Sequence, residues 1–92
     1  MTMTKSITVK ITGGVQGVWF RGWTRQEAER LGLEGWVRNE ADGSVAACLS
    51  GPVARVDEMV ALLHMGPPAA RVDLVEVYPS PAPKTKGFVV LR

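Results

Sequence analysis

The order of apolar and polar residues along the chain predicts five strands and two helices. Strict alternation over Ser6–Thr12 is typical of a half-buried strand. Apolar residues then recur at helical spacing over Phe20–Leu31, and Gly32 is well placed to end that helix. The remaining predicted elements are strands over Leu33–Asn39 and Ser44–Ser50, a helix that opens at Gly51–Pro52 and ends before Gly66–Pro67–Pro68, and strands over Val72–Val77 and Gly87–Leu91.

The order of these elements is strand, helix, strand, strand, helix, strand, strand, with neither an internal repeat nor a linker. This split β-α-β order is typical of the ferredoxin-like α/β sandwich. We therefore expect an α+β fold in which an antiparallel sheet of four to five strands carries both helices on one face. The Asp42–Gly43 pair predicts a tight hairpin turn between the second and third strands. Residues 1–92 are expected to form a single domain.

Composition and charge narrow the class of protein. The chain has 92 residues, of which 46% are hydrophobic and 22% charged, a balance typical of globular rather than disordered proteins. Its net charge of +2, without a block of Lys and Arg, suits a small anion better than a nucleic acid. Cys48 is the only cysteine, and the sequence shows neither a signal peptide nor an apolar run of about 20 residues. We expect a cytoplasmic protein with no membrane partner.

A glycine-rich loop between the first strand and the first helix is the first candidate site. Residues 12–21 read TGGVQGVWFR. Backbone N–H groups in such a loop can converge on an anion, because glycines allow close approach and the helix start adds partial positive charge. Arg21, in the first helical turn, could complete the cradle with charge-assisted hydrogen bonds to phosphate oxygens. The loop lacks the Lys-Ser/Thr ending of a P-loop, and the glycines alone leave open a turn that binds nothing.

Asn39, at the end of the predicted second strand, is the second candidate. A carboxamide both accepts and donates hydrogen bonds, so Asn39 could hold a water and direct it at an electrophile. If its strand is a neighbour of the strand that feeds the glycine loop, Asn39 lies close to the anion cradle. Taken alone, however, an asparagine at this place more often only begins a turn.

Together, the two segments resemble the acylphosphatase family. The family pattern G-x-V-Q-G-V-x-F-R is met by Gly13–Arg21, and G-W-V-x-N-x-x-D-G-x-V is met by Gly35–Val45. Further family-like positions near the second helix and the terminal strand extend the resemblance over 7–92. It implies a ferredoxin-like monomeric enzyme that hydrolyses acyl phosphates, small-molecule substrates, to a carboxylate and inorganic phosphate.

The resemblance also implies roles for individual residues. Arg21 would bind the phosphate group, and Asn39 would orient the attacking water. The family often carries Thr or Leu in place of Glu40 and Glu in place of Ala46, which puts the rate and affinity of this chain in question. The implied anion cradle is the backbone of Val15, Gln16, Gly17, Val18, Trp19 and Phe20, and the supporting positions are Thr24 and Ser44.

Hydrolysis of an acyl phosphate needs little catalytic machinery, because its carboxylate leaving group is weakly basic. The chain has one histidine and no set of residues spaced like a metal site, so we expect neither a metal nor a cofactor. With no base predicted beside Arg21 and Asn39, the proton of the water is expected to pass to the substrate's own phosphate. Two alternatives remain: a nucleic-acid-binding module, disfavoured by the lack of an aromatic RNA-binding segment, and a domain that binds phosphate-containing ligands without turnover.

The remaining aromatic and titratable side chains that stand out in the sequence are expected to lie beside the site or to have structural roles. Trp19 either flanks the loop and contacts the acyl group, which we favour, or is a surface aromatic residue with no role. The expected structural places are the core for Trp23 and Trp36, a partly buried thiol for Cys48, a helix C-terminus for His64 and the hairpin turn for Asp42.

Overall fold

Five strands and two helices form the fold in the computed structural model, which describes residues 3–92. All seven predicted elements are present, with ends that differ by a few residues from the predicted ones. Both helices pack against the sheet and contact each other, so they share one of its faces. The strands are β1 (Thr4–Gly14), β2 (Glu34–Asn39), β3 (Val45–Pro52), β4 (Arg71–Pro79) and β5 (Phe88–Val90), and the helices are α1 (Phe20–Arg30) and α2 (Val53–Met65).

The sheet has the strand order β4-β1-β3-β2-β5, and its fold is ferredoxin-like as expected. The first four strands pair antiparallel, with Val9 of β1 opposite Ala47 of β3. The sheet is nevertheless mixed, because β5 pairs parallel with β2, with Gly35 opposite Phe88. After β4 the chain crosses to the other edge of the sheet, so the last strand enters in the same direction as β2.

Strand β1 runs two residues further than its alternation predicts. Gly13 and Gly14 remain in the sheet, opposite Val72 and Arg71 of β4, after a bulge that follows Thr12. Gly13 has a φ of 138°, and a Cβ there would overlap the carbonyl oxygen of Arg71. Close pairing with β4 therefore requires glycine here, and the loop begins only at Val15.

The core lies between the sheet and the helices. Alternate residues of β1 and β3, such as Val9 and Leu49, pack there against α1 and α2. The prediction that Trp36 belongs to this core is wrong. Alternation along β2 puts Val37 in the core and Trp36 on the opposite, uncovered face of the sheet, where the Arg38 guanidinium lies 4.7 Å from the centre of its ring. Among residues 3–92, no helix is long and apolar enough to span a membrane.

Candidate active site

Strands β1, β2 and β5 run in the same direction, so their C-terminal ends lie on the same side of the sheet. A cavity of about 670 Å³ lies beside these strand ends. The glycine loop follows β1, Asn39 ends β2, and Val90 ends β5. The residues around the cavity are Val15, Gly17, Trp19, Phe20, Arg21, Gly22, Asn39, Val90 and Arg92. The structure therefore brings Arg21 and Asn39, the two principal candidates, to one cavity.

The two strands that supply these candidates are not neighbours, contrary to the assumption made from the sequence. Strand β3 lies between β1 and β2. The loop crosses above β3 and delivers α1 to β2 and β5, which the helix contacts. Arg21, in the first turn of α1, thus reaches the end of β2 through the helix and not through strand pairing.

The backbone of the loop has the form of an anion cradle. Gly17 and Trp19 have left-handed φ values of 76° and 62°, a conformation that turns successive N–H groups toward one side of the chain. In the part of the chain that the structure describes, the amides of 15–20 donate no hydrogen bond to another protein group. The N-terminus of α1 also has no side-chain cap, so its first N–H groups remain available to an anion.

Arg21 differs from most other arginines of the chain in having no acidic partner. Five arginines lie within 4.0 Å of a carboxylate, namely Arg25, Arg30, Arg38, Arg55 and Arg71. Within 3–92, the two arginines that line the cavity, Arg21 and Arg92, form no such pair. Two positive charges are thus available to an anion in the cavity.

Asn39 brings a buried acceptor to the cavity. Its Oδ1 atom is buried and has no hydrogen-bond partner among the described residues. Leaving such an acceptor unpaired costs about 1–3 kcal/mol, so the position favours a donor such as water. The hydroxyl of Thr24 is likewise buried without a described partner, but Thr24 is not among the residues that surround the cavity.

Gln16, Val18 and Ser44, which the sequence also singled out, do not line the cavity. The Gln16 side chain instead donates hydrogen bonds from Nε2 to the carbonyl oxygens of Glu40 (2.8 Å) and Ser44 (2.9 Å). Ser44 is buried, and its hydroxyl and its amide both donate to Asp42.

Asp42 shapes the hairpin turn, as predicted. Its carboxylate accepts hydrogen bonds from the Ser44 hydroxyl at 2.6 Å and from the Ser44 amide at 3.0 Å, and it pairs with Lys10 at 2.9 Å. The two bonds from Ser44, followed by the ammonium of Lys10, hold the pKa of the Asp42 carboxyl well below its usual range. The turn that follows Asn39 is therefore held by a charged hydrogen-bond acceptor.

The two departures from the family pattern lie away from the cavity. The Glu40 carboxylate pairs with Arg38 at 3.3 Å. Both Glu40 and Ala46 border a second cavity, of about 410 Å³, on the uncovered face of the sheet. Like-charge repulsion between Glu40 and a bound anion is accordingly reduced by the partner cation.

Sequence reasoning missed three residues of the cavity: Gly22, Val90 and Arg92. Gly22 could have been found from the sequence, because it lies three residues after Trp19, about one helical turn. At that spacing the indole occupies the place that a Cβ of residue 22 would take. Val90 and Arg92 could have been found only from the parallel direction of β5, which carries the end of the chain to Asn39.

The fold is that of a small ferredoxin-like α/β protein, and the cavity brings together free amides and positive charges that suit a phosphate-like anion. Comparison with known proteins makes the assignment more specific. The acylphosphatase family model matches residues 7–90. The chain belongs to the acylphosphatase family.

Individual relatives agree with this assignment along almost the whole chain. An acylphosphatase from Rhodospirillum rubrum is 54% identical over 84 residues, which are 91% of this chain and 92% of that protein. The solved acylphosphatase structure from Coxiella burnetii has a TM-score of 0.91 and 34% identity, covering 96% of this chain and 93% of the other. The one from Bacillus subtilis has a TM-score of 0.90 and 30% identity, covering 98% and 100%. The protein is an enzyme of the acylphosphatase type.

Proposed function

We propose that this enzyme hydrolyses the carboxyl–phosphate anhydride of small acyl phosphates, with its loop and Arg21 holding the phosphate and Asn39 orienting the attacking water. One observation carries the proposal. Arg21 and Asn39 border the same cavity, and neither the guanidinium nor the Asn39 Oδ1 atom is engaged by another described residue. The Arg21 guanidinium is thus available to substrate, and the buried Asn39 acceptor still lacks a donor, which a water would supply.

Phosphate binding would rest on the loop and the start of α1. The amides of 15–20 can donate to phosphoryl oxygens, and the helix N-terminus adds partial positive charge. Arg21 would add charge-assisted hydrogen bonds, each of about 1.5–3 kcal/mol. As these donors are placed before the substrate arrives, they can stabilise charge on the phosphoryl oxygens without reorganising.

The attacking water would lie against Asn39. The Oδ1 atom accepts one O–H of the water, which directs an oxygen lone pair at phosphorus. The new P–O bond forms as the bond to the acyl oxygen breaks, and the carboxylate leaves with the electron pair. No side chain among the described residues that line the cavity is a carboxylate or an imidazole, so the water's proton passes to a phosphate oxygen.

The acyl group would extend toward solvent beside Trp19 and Val90, which are 65% and 37% exposed. This open position favours broad tolerance for the acyl group. We place the enzyme in the cytoplasm, since its one cysteine, Cys48, is a free thiol, and we propose a monomer because the family resemblance implies one. A nucleic-acid partner is disfavoured, because Lys10 and Arg38 on the uncovered sheet face are paired with carboxylates.

Hydrolysis of benzoyl phosphate by the wild type and by two variants tests the proposal. Arg21→Ala should lower kcat/KM at least ~100-fold, the usual scale for loss of a main charge-stabilising donor. Asn39→Ala should lower kcat while inorganic phosphate still competes with substrate. Arg25→Ala is the matched control, because Arg25 lies on the same helix, exposed and paired with Glu29; its rate should stay near that of the wild type.

Different outcomes would identify different errors. Wild-type rates in Arg21→Ala would remove Arg21 from the site. Phosphate binding without any hydrolysis by the wild type would favour the alternative of a ligand-binding domain. A steep rate change with a protein group that titrates near pH 6–7 would contradict proton transfer to the substrate.

A further inference from the structure

The side chain of Gln16 joins the two halves of the candidate site. Gln16 belongs to the anion loop, but its side chain points to the hairpin turn and donates from Nε2 to the carbonyl oxygens of Glu40 and Ser44. A primary amide has two N–H donors, and both are used here. Glu40 directly follows Asn39, and its amide donates to the same Ser44 oxygen at 2.9 Å. Gln16 thus contacts both arms of the turn that begins at Asn39.

This connection adds to an indirect one through the sheet, in which Val45 of β3 lies opposite both Ile11 of β1 and Asn39 of β2. The loop continues β1 and Asn39 ends β2, and β3 separates these two strands. Among the side-chain hydrogen bonds of the described residues, the two from Gln16 are those that link the loop to the segment 39–44. Gln16 is therefore the side chain that bonds the loop directly to the segment beginning at Asn39, in addition to the packing of α1 on β2.

The turn that Gln16 contacts is itself held in place. Ser44 donates twice to Asp42, and Asp42 pairs with Lys10 of β1. The carbonyl oxygen of Ser44 is consequently a fixed acceptor and not one on a mobile loop. A bond from Gln16 to this oxygen positions the loop against the sheet, and against Asn39 in particular.

We infer that Gln16 is a positioning residue, which acts through Asn39 by holding the phosphate cradle and the water-orienting carboxamide at the separation that attack requires. The inference rests on the proposed function of Arg21 and Asn39. The side chain of Gln16 touches neither substrate nor water in this scheme. Its effect is large because a displacement of about 1 Å between reacting groups can cost about 100-fold in rate.

The first test is Gln16→Met, which keeps the length of the side chain and removes both donors. We expect kcat for benzoyl phosphate to fall at least ~10-fold, because the cradle shifts relative to Asn39. The inhibition constant of inorganic phosphate should change less than ~3-fold, since the loop amides and Arg21 remain. Gln26→Met is the matched control, because Gln26 is the only other glutamine and is exposed on α1; it should leave both constants unchanged.

The second test combines Gln16→Met with Asn39→Ala. If Gln16 acts through Asn39, its loss in the Asn39→Ala background should lower kcat less than ~2-fold, since there is no carboxamide left to position. Equal fold-losses in the two backgrounds would show that Gln16 acts independently and would overturn the inference. The melting temperature of each variant separates lost folding from lost positioning.

The third test uses Gln16→Glu and pH. The protonated carboxyl group of this variant keeps one donor for a carbonyl oxygen, whereas the ionised form faces two carbonyl oxygens with no donor. The ratio of its kcat to that of the wild type should therefore be highest in acid and should fall as pH rises through the pKa of the new carboxyl. That pKa is expected above the ordinary value of about 4.3. Gln26→Glu should give a flat ratio.

These outcomes separate this inference from the proposed function. Wild-type activity in both Arg21→Ala and Asn39→Ala would contradict the proposed function and remove the basis for the inference. Loss of activity in those two variants, with a wild-type kcat in Gln16→Met or a flat ratio in Gln16→Glu, would overturn the role of Gln16 alone.

Discussion

Trp19 shows at the level of one residue how the loop is bent into its shape. Within 3–92 it is the one residue other than glycine with a positive φ, 62°, and it lies at the N-cap of α1. A left-handed conformation costs a bulky residue about 1–3 kcal/mol. Because the side chain is 65% exposed, burial returns little of that cost. The indole lies over Gly22, at the cavity wall, which indicates that the position serves the site more than the stability of the fold.

The substitution Trp19→Asn should therefore separate stability from substrate binding. Asparagine tolerates the left-handed region and is a good N-cap, so the free energy of unfolding should rise by about 0.5–1 kcal/mol. KM should rise for benzoyl phosphate more than for acetyl phosphate, because the indole is lost from the acyl side of the cavity. Urea unfolding and steady-state kinetics with both substrates measure the two effects. A lower stability, or equal changes in the two KM values, would contradict this account of Trp19.

At the level of elements, the packing of β2 against its two neighbours determines where Asn39 lies. Gly35, near the start of β2, has a φ of 144°, and its amide donates to Gly87 at 3.0 Å. A Cβ at this position would overlap the carbonyl oxygen of Cys48 and lie 3.2 Å from the Phe88 ring. The close approach of three strands at this point therefore depends on the absence of a side chain.

We expect Gly35→Ala to lower the free energy of unfolding by about 3–5 kcal/mol, because strain in φ adds to a collision with β3. Gly43→Ala is the matched control. Gly43 also has a left-handed φ, 92°, but a Cβ there would meet nothing within 4 Å. Its cost should be about 1–2 kcal/mol, the conformational part alone. Urea denaturation of both variants gives the comparison, and equal losses would show that crowding at Gly35 is unimportant.

At the level of the whole molecule, the site and the core form together. The cavity takes residues from the loop after β1, from the end of β2 and from the end of β5, so no single segment of the chain can build it. Cys48 reports on that assembly, because it lies in β3 at the middle of the sheet and is 3% exposed. Burial raises the pKa of its thiol, which further lowers its reactivity in the folded state.

Cys48 shares the uncovered face of the sheet with its cross-strand partner Trp36, so it should react with a thiol reagent at pH 8 only when the side chains over it move aside or the sheet opens. We expect the rate in native buffer to be at least ~100-fold below that in 6 M guanidinium chloride, and to rise with denaturant as the unfolded fraction rises. A Cys48→Ser chain with Ala41→Cys, in the exposed hairpin turn, is the control and should react at once. Fast reaction of native Cys48 would mean that the groups around the thiol, among them Ser80, move aside without unfolding of the domain.

Local patterns in the sequence determined the elements and much of the site. Alternation over Ser6–Thr12 predicted β1, the Asp42–Gly43 pair predicted the hairpin, and their order indicated the ferredoxin-like fold, because these signals depend only on residues close in the chain. The two motifs also led to the expectation that Arg21 and Asn39 lie together, and both line the cavity. Their catalytic roles remain predictions.

Only the tertiary structure decided on which face of the sheet each side chain lies and which strand ends lie beside the cavity. Alternation indicates that Trp36 and Val37 face opposite ways, but the helices decide that Val37 is the one in the core. The parallel pairing of β5 with β2 brings Arg92 to the cavity, and the placement of α1 over β2 allows Gln16 to reach the turn after Asn39. The physical reason is that side-chain periodicity is a local property, whereas strand order depends on contacts between residues far apart in the chain.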